Sequence, residues 1–310
     1  MPQLALASNT WLTRANMPSD RRQVTAAMVF NAAGETIVYA IGGKTVNAGW
    51  CTGTLSKVQA YNANTNTWTT RAPLPSPLTE TNGAGVINGK IYVSGGCFGY
   101  KDYSNALWMY DPVANTWTEK HPMPFASFAG TSGVIDNKLY VMASCQGQED
   151  CYGDEAPYWG FLRYDPASDT WTRLRSPTSG DVYSYGSAAT IGKKFYVTGG
   201  WFNRGMEAYD PTTDTWSSKA SMGSPRYSAA YTAVSAKFYV IGGVRTNPDD
   251  SRTVVATTSV YDPATNTWSH KAEMPTARFL IAAARVTVGG QARLVVVGGS
   301  RPGNTLEFVP

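Results

Sequence analysis

The dipeptide Thr-Trp recurs six times along the chain of 310 residues, at nearly regular intervals. Its tryptophans are Trp11, Trp68, Trp117, Trp171, Trp216 and Trp268, so consecutive copies lie 45 to 57 residues apart. Self-similarity at a period of about 50 residues is typical of propellers and solenoids, in which each repeat is one supersecondary unit. The pattern therefore predicts an array of repeated units.

Two further signatures accompany each Thr-Trp pair. The pair closes the segments YNANTNTW, YDPVANTW, YDPASDTW, YDPTTDTW and YDPATNTW, which begin at residues 61, 110, 164, 209 and 261. Upstream lies an apolar run ending in Gly-Gly, such as FYVIGG at 238–243, although the third repeat reads LYVMAS at 139–144. These short β-branched and aromatic runs predict strands. Long helices are not expected, because no 3.6-residue pattern is sustained.

Each repeat is expected to contain four strands, a to d. Strand a is a run of small residues such as SAAYTAV at 228–234, strand b ends in Gly-Gly, strand c ends in Tyr-Asp-Pro, and strand d starts at Thr-Trp. Asp-Pro suits the c–d turn, because Asp bonds the backbone ahead and Pro presets φ. Small residues fit the crowded centre of a radial array, and Tyr and Trp bury large areas between neighbouring sheets.

Gly-Gly, Tyr-Asp-Pro and Thr-Trp in this order resemble the kelch repeat, over residues 8–310. The resemblance implies an all-β fold, a six-bladed β-propeller of four-stranded antiparallel blades. Phe308-Val309-Pro310 stands where the other repeats have Tyr-Asp-Pro, and Asn9-Thr10-Trp11 supplies the missing continuation. We therefore expect the N-terminal strand d to complete the C-terminal blade, which removes exposed edges. The expected blades of the single domain 1–310 are 24–72, 83–121, 128–175, 185–220, 227–272, and 278–310 with 8–14.

The charge balance bears on partners. The net charge is +4, from 26 basic and 22 acidic residues without a dense Lys/Arg run, so no nucleic-acid partner is expected. No apolar run approaches the length of a membrane span, and we expect a monomer. Ala5-Leu6-Ala7 resembles the tail of a signal-peptide cleavage site, although a short lead-in strand fits equally well.

The four cysteines, Cys51, Cys97, Cys145 and Cys151, all fall in b–c loops of the first three repeats. An even number in exposed loops predicts disulfides and an oxidising compartment, hence an extracellular or periplasmic location. We favour the pairs Cys145–Cys151 and Cys51–Cys97, with Cys97–Cys145 as the rival. A metal site of four thiolates is disfavoured, because no paired C-x-x-C spacing occurs. The lack of an Asn-x-Ser/Thr sequon favours a bacterial source.

The b–c and d–a loops of such a meander emerge on one face, and the b–c loops vary most, which predicts a binding face. Aromatic residues crowd it: Trp50, Phe98, Tyr100, Tyr103, Tyr152, Tyr158, Trp159, Trp201 and Phe202. They suggest a stacking surface for sugars or a pocket for a peptide, with Trp50, Trp159, Trp201 and the neighbouring Arg204 as ligand-binding candidates. The alternative is that the rings fasten long loops to the rim.

An arginine precedes strand a in three repeats, in the segments MPSDRRQ, SPRYS and PTARFL. Arg21, Arg226 and Arg278 occupy one equivalent position, where the other repeats have Leu78, Ser127 and Tyr185. We expect these guanidinium groups, with Tyr185, to turn toward the channel mouth and to bind a carboxylate or phosphate. The resemblance implies the same, since kelch proteins bind acidic ligands or peptide motifs in this way. Alternatively, this arginine packs and caps the turn.

The positions of the acidic residues and histidines indicate whether acid–base catalysis or metal binding is expected. Glu149, Asp150, Asp154 and Glu155 share one loop, which suits acid–base chemistry, a hard cation or, as we favour, simple solvation. Glu80 and Asp181 lie nearer the channel and are alternative acids. The only histidines, His121 and His270, are far apart, so no metal site and no cofactor is expected. This argues against kelch-type copper-radical oxidases.

Three functions remain open. The first is a ligand-binding propeller that recognises an acidic glycan, sugar or peptide through arginines and aromatic rings. The second is a carbohydrate-active enzyme, because six-bladed kelch proteins include bacterial sialic-acid epimerases that use arginine and an acidic residue; this resemblance covers only the fold and the arginine cluster. The third is a scaffold without a small ligand. We favour the binding protein, because no catalytic histidine or clear acid–base pair is present.

Overall fold

The computed structural model describes residues 7–100, 102–143, 160–177, 184–200, 205–224, 226–247, 249–300 and 304–310. Within these ranges every regular element is a β-strand, and six antiparallel sheets of four strands are formed. The inner strands a of successive blades pack side by side around one axis, and the strand a of the sixth blade packs against that of the first. The fold is therefore a closed six-bladed propeller, as the sequence predicted.

The strands of each blade are given from the axis outward. Blade I contains Thr25–Phe30, Thr36–Ile41, Val58–Asn62 and Thr67–Arg71. Blade II contains Ala84–Ile87, Lys90–Ser94, Leu107–Asp111 and Thr116–Lys120. Blade III contains Thr131–Ile135, Lys138–Ala143, Gly160–Asp165 and Thr170–Leu174. Blade IV contains Ser187–Ile191, Lys194–Thr198, Met206–Asp210 and Thr215–Lys219. Blade V contains Ala230–Val234, Lys237–Ile241, Thr258–Asp262 and Thr267–Lys271. Blade VI contains Ile281–Val288, Gln291–Gly298, Asn304–Val309 and Thr10–Asn16.

Short strands outside the blades order the loops of one face, a feature that the sequence did not predict. In blade I, Arg21–Arg22 pairs with Lys44–Thr45. In blade II, Cys97–Gly99 pairs with Asp102–Tyr103. In blade V, a three-stranded sheet is formed by Arg226–Tyr227, Val244–Thr246 and Arg252–Val254. The d–a and b–c loops are thus bonded to each other in blades I and V, and in blade II through the Thr79–Cys97 bridge, which orders the face that carries the candidate site.

The core lies between neighbouring sheets. The tyrosine near the end of strand c in blades I to V, and Phe308 in blade VI, is at most 2% exposed. Each of these rings packs on the Trp of its own blade, with centroids 4.9 to 5.0 Å apart in the closest pairs, Tyr110–Trp117 and Phe308–Trp11, and 5.4 Å apart in the widest. One aromatic pair per blade therefore supplies the large apolar area that the repeat motif predicts.

Each Thr-Trp pair, with the Asn or Asp before it, also holds the preceding blade through hydrogen bonds that we call the clasp: an indole bond in every blade, and a bond to the Asn or Asp side chain in blades I, II, III, V and VI. In blade I, the Trp68 indole N–H donates to the carbonyl of Ala15 at 3.0 Å, and the Asn66 side chain accepts the N–H of the same residue at 2.8 Å. The indole bond recurs in every blade, to the carbonyls of Ala272, Ala15, Ala72, His121, Arg175 and Ala220. The clasp explains why Asn or Asp precedes Thr-Trp.

The clasp residue before Thr-Trp has a positive φ in all six blades, at Asn9, Asn66, Asn115, Asp169, Asp214 and Asn266. Asn and Asp tolerate this left-handed conformation better than most residues. In blades I to V the tyrosine of strand c donates to the same side chain, as Tyr110 does to Asn115 at 2.6 Å. In blade VI Phe308 offers no hydroxyl, so Asn9 is held without that bond.

The two ends of the chain close the ring, which confirms the prediction for blade VI. Trp11 pairs with Phe308, and Leu12 pairs with Glu307. Glu307 is fully buried and accepts from Arg14 at 2.8 Å and from Arg293 at 2.6 Å, so an ion-paired triad links three strands of this blade. Removing one member of a buried network of this kind leaves an uncompensated charge.

We expect Trp11→Phe to lower the free energy of unfolding by about 1 to 2 kcal/mol, because the carbonyl of Ala272 then loses its donor. Urea denaturation followed by circular dichroism measures this. Trp108→Phe is the matched control, since Trp108 is half-buried in blade II and outside the clasps. Equal losses in the two variants would contradict the closing role of the clasp at Trp11.

The clasp of blade III depends on pH, because its acceptor is Asp169. The hydroxyl of Tyr164, and then the N–H of His121, lower the pKa of Asp169 below its ordinary value. This contribution to stability is therefore present above the unfolded pKa, about 4, and is lost as the pH falls through the folded pKa. We expect Asp169→Asn to be less stable than the wild type at pH 7, with a difference that shrinks below about pH 4. A pH-independent difference in urea denaturation would contradict this.

Candidate functional site

Six residues, one per blade, form a ring at the mouth of the axial channel, which we call the collar. Its members are Gln23, Glu80, Ala129, Tyr185, Ser228 and Leu280. All six have φ between 51° and 57°, although none is glycine. Left-handed backbone costs such residues about 1 to 2 kcal/mol each, and it persists only where the surroundings impose it. Strain repeated at one position in six blades marks the mouth as a candidate site.

Backbone hydrogen bonds pass round the collar from blade to blade. Gln23 donates to Leu280, Leu280 to Ser228, Ser228 to Tyr185, Tyr185 to Ala129 and Ala129 to Glu80, at 2.6 to 3.0 Å. At the junction of blades I and II, the Gln23 side-chain amide donates to the Glu80 carboxylate at 2.5 Å. These bonds hold the collar in its strained conformation and keep all six residues on the lining of the cavity.

Glu80 is the centre of a polar hub at the mouth. Its buried carboxylate accepts from Gln23, from the Lys44 ammonium at 3.4 Å, from the Trp50 indole at 3.3 Å, and from the hydroxyl of Tyr185. Tyr185 reaches Glu80 past blade III, whose collar residue Ala129 is small. Burial, and then the carboxylate, raise the pKa of Tyr185 well above its ordinary value, so the phenol stays protonated. Burial lowers the pKa of Lys44, which Glu80 opposes.

A cluster of aromatic rings, which we call the aromatic wall, lies beside the hub and consists of Trp50, Phe98, Tyr100, Tyr103 and Phe128. The ring of Trp50 lies 6.3 Å from Tyr100 and from Tyr103, and 5.7 Å from Phe128, while Tyr103 stacks on Phe128 at 4.5 Å. Phe98 and Tyr100 are 48% and 67% exposed, the two most exposed rings on this face in the described residues. The wall thus presents apolar surface to solvent next to the collar.

The Cys51–Cys97 disulfide joins the two loops that carry this wall, which confirms the favoured pairing for these two cysteines. Cys51 follows Trp50, and Cys97 precedes Phe98. Cys145 and Cys151 lie outside the described residues. Cys51, Cys97 and Glu80 are also the one group of possible metal ligands in the described part of the chain. With both sulfurs in the disulfide and Glu80 bonded to four donors, this group does not fit a metal ion.

Below the collar an axial cavity of about 480 Å³ is lined by the strands a of all six blades. Its walls are mainly Ala, Gly, Ser and Thr, as expected for the crowded centre of a propeller. The described lining contains two charged side chains, Glu80 at the mouth and Arg285 near the other end. The arrangement therefore joins a polar entrance to a nearly neutral interior.

The predicted arginine cluster at the mouth is wrong. Arg21 is 1% exposed and donates to the carbonyls of Gly42 and Lys57 at 2.6 and 2.8 Å. Arg226 is 3% exposed and donates to Thr257 and Val240, and Arg278 is also buried. Burial lowers the pKa of Arg21 and of Arg226 to about 10. The guanidinium groups turn into the blades because backbone carbonyls at the ends of strands b and c need hydrogen-bond donors. The structure therefore agrees with the alternative interpretation, in which this arginine packs and caps the turn.

The other candidates are placed as follows. Trp50 and Glu80 lie at the mouth, as expected. Tyr185 also lies there, but at the collar position, two residues beyond the position equivalent to Arg21. The shift arises because the d–a loop before Tyr185 contains an insertion. Trp159, Trp201, Arg204 and Asp181 lie outside the described residues. In the three blades with the repeated arginine, the collar residue is the second residue after it. No role was predicted for this position from the sequence.

Family comparisons agree with this architecture. A model described as the KLHDC2/KLHL20/DRC7 Kelch-repeats domain matches residues 4–200, and the Kelch motif model matches residues 183–223 and 225–275. The chain therefore belongs to the kelch-repeat family. Among the described residues, no helix is long and apolar enough to cross a bilayer.

Curated relatives resemble the chain over part of their length. Kelch-like protein 25 of Xenopus tropicalis is 28% identical over 61% of this chain and 31% of its own length. Kelch-like protein terF of Aspergillus terreus is 29% identical over 72% of this chain and 50% of its own length. The chain thus spans half or less of these relatives. The solved structure titled "Structure of YjhT" has a TM-score of 0.69 at 14% identity and covers 94% of both chains, which supports the fold alone.

We expect Cys51→Ser/Cys97→Ser to lower the free energy of unfolding by about 4 kcal/mol, by the loop-closure entropy of a 46-residue separation. Urea denaturation measures this, and the wild type with its disulfides reduced is the control. The fluorescence of Trp50 should change in parallel, since its loop is released. An unchanged midpoint of unfolding would show that the disulfide does not fix the aromatic wall.

Proposed function

We propose that this propeller binds a sugar, a glycan or a peptide at the collar, and that the ligand carries an acidic group. The fold and the family support a scaffold for protein interaction or ligand binding. One observation carries the finer assignment: a rigid polar hub lies at the open end of a cavity, and Trp50 connects this hub to a loop with two exposed rings, Phe98 and Tyr100. Exposed apolar surface beside convergent polar groups is typical of a ligand site.

Of these ligands the site favours a sugar. A pyranose ring has apolar faces that stack on Tyr or Phe and hydroxyl edges that bond polar side chains. Phe98 and Tyr100 offer the stacking surface, while the collar offers the polar edge. The disulfide holds the two loops that carry these rings, which lowers the entropic cost of ordering them on binding.

The acidic group of the ligand would bind arginines other than the buried Arg21, Arg226 and Arg278. Arg245 and Arg252 are exposed on the b–c hairpin of blade V. Arg245 pairs in register with Arg226, two residues before the collar residue Ser228, so the hairpin borders the mouth. Guanidinium groups bind carboxylates in a bidentate manner. A disulfide-bonded protein of this kind fits an extracellular or periplasmic location, which we also propose.

A carbohydrate-active enzyme is the second candidate, favoured by the contact between Glu80 and Tyr185. A carboxylate that accepts a hydrogen bond from a phenol at the mouth of a cavity is suited to acid–base chemistry on a sugar hydroxyl. Such an enzyme would act as a mutarotase or an epimerase, moving a proton without redox chemistry. The binding protein remains first, because four donors already occupy the Glu80 carboxylate.

A glycan and peptide array tests the proposal. We expect the wild type to retain acidic glycans, and Phe98→Ala/Tyr100→Ala to bind them at least tenfold more weakly, by the loss of about 1.4 kcal/mol or more of stacking. Val113→Ala is the matched control, because Val113 is 98% exposed in a c–d turn, on the opposite face. Arg245→Ala/Arg252→Ala should lose the preference for acidic over neutral glycans.

Two results separate the alternatives. Retention of peptides alone would replace the sugar by a peptide ligand, and no retention on either array would refute the proposal. Anomer exchange of an acidic sugar, followed by NMR, tests the enzyme: faster exchange with the wild type, lost in Glu80→Gln at unchanged melting temperature, would favour the second candidate over the first.

A further inference from the structure

The side chain of Tyr231 crosses the axial channel. Tyr231 belongs to strand a of blade V, and blade II is the opposite blade in a ring of six. The Tyr231 hydroxyl oxygen lies 3.2 Å from the point that a Cβ on Gly83 of blade II would occupy. The ring therefore spans the channel from one wall to the other and forms a floor below the collar.

The floor is a single layer of the propeller. It is made of the third residue after the collar residue in each blade, namely Ala26, Gly83, Ser132, Ala188, Tyr231 and Ala283. All but Tyr231 are small, which leaves room for one aromatic ring. Gly83 has a φ of +86°, and a side chain there would also lie 2.9 Å from the Ser132 hydroxyl oxygen. Because Gly83 has no side chain, the hydroxyl groups of Tyr231 and Ser132 can both approach the same point of the floor.

The Ser132 hydroxyl is available to a ligand, and the Tyr231 hydroxyl lies beside it. Ser132 is 7% exposed, lines the cavity, and its hydroxyl has no hydrogen-bond partner in the described part of the chain. A buried hydroxyl without a partner costs about 1 to 3 kcal/mol, which a ligand that bonds it would recover. Burial raises the pKa of Tyr231, which the Thr131 side chain opposes, so the phenol stays protonated and keeps a proton to donate.

The chamber between collar and floor is suited to a neutral group. Its lining at this depth is mainly Ala, Gly, Ser and Thr, with Val24, Ile281 and Tyr231, and the described charged side chains lie elsewhere, at the mouth and near the far end. A carboxylate buried here without a cation would be strongly disfavoured, whereas a hydroxyl group finds both a donor and an acceptor. The acidic group of a ligand therefore stays above the collar.

We propose that this chamber is a subsite for the neutral, hydroxyl-bearing end of the ligand, with one ligand hydroxyl bonded between Tyr231 and Ser132. The inference rests on the proposed function, since it places one end of the same ligand. It adds the chemistry of that end, a pyranose or polyol hydroxyl, and two residues that determine specificity. Neither residue was singled out by the sequence.

Calorimetric titrations of the wild type, Ser132→Ala, Tyr231→Phe and Thr190→Val test the subsite. The probes are glucose, galactose, N-acetylglucosamine, glucuronic acid and an acidic oligosaccharide from the array. We expect the Kd of the sugars that bind to rise about 3- to 10-fold in Ser132→Ala and in Tyr231→Phe, the effect of one hydrogen bond. Thr190→Val is the control, because Thr190 lines the same cavity two residues beyond the floor layer.

Monodeoxy forms of the best probe sharpen the test. One of them should bind the wild type 3- to 10-fold more weakly and lose no further affinity in Ser132→Ala, because the same hydrogen bond is already absent. Melting temperatures confirm that each variant is folded. Sugar binding that is unchanged in Ser132→Ala and Tyr231→Phe would overturn this inference and leave the proposed function standing. The absence of any sugar binding to the wild type would also overturn this inference, and the absence of both sugar and peptide binding would overturn the proposed function as well.

Discussion

The clasp between neighbouring blades is the interaction on which the rest of the structure depends. A four-stranded sheet of about 45 residues cannot bury both of its faces alone, so each blade is stable only against its neighbours. In blade I, for example, Trp68 donates to the backbone of one residue of the preceding blade, and the side-chain oxygen of Asn66 accepts from the same residue. The Trp ring packs on the Tyr or Phe of strand c in its own blade. Apolar burial and hydrogen bonding thus come from one short motif, repeated six times.

Closure of the ring gives the collar its properties. Because the six blades meet around one axis, each collar residue faces its five equivalents; five backbone hydrogen bonds and the Gln23–Glu80 side-chain bond link neighbouring members. The strained conformation is the same in each blade, but the side chains differ. Glu80 and Tyr185 fill one side with a polar hub, whereas Ala129 and Ser228 leave space. A symmetric scaffold therefore carries an asymmetric site.

The sequence predicted the parts of the fold that are encoded locally and repeated. The Thr-Trp pairs gave the number of blades, and the unfinished unit at Phe308 gave the closure, because both depend on residues close in sequence. The direction of the Arg21 side chain was not predictable, since its acceptors are carbonyls of strands b and c. The collar and the floor were missed because the positive φ at Ser228 depends on the neighbouring blades and the reach of Tyr231 on the opposite blade, and residue type alone encodes neither.

Hydrogen exchange of the tryptophan indole N–H groups, followed by NMR, tests the account most directly. If the six clasps hold one cooperative ring, the indoles of Trp11, Trp68, Trp117, Trp171, Trp216 and Trp268 will exchange only through global unfolding. Their opening free energies will then equal one another and the value from denaturant unfolding. Exchange of the Trp11 indole at a much lower free energy than the other five would contradict the account, because the ring would then open at its closing blade while the rest stays folded.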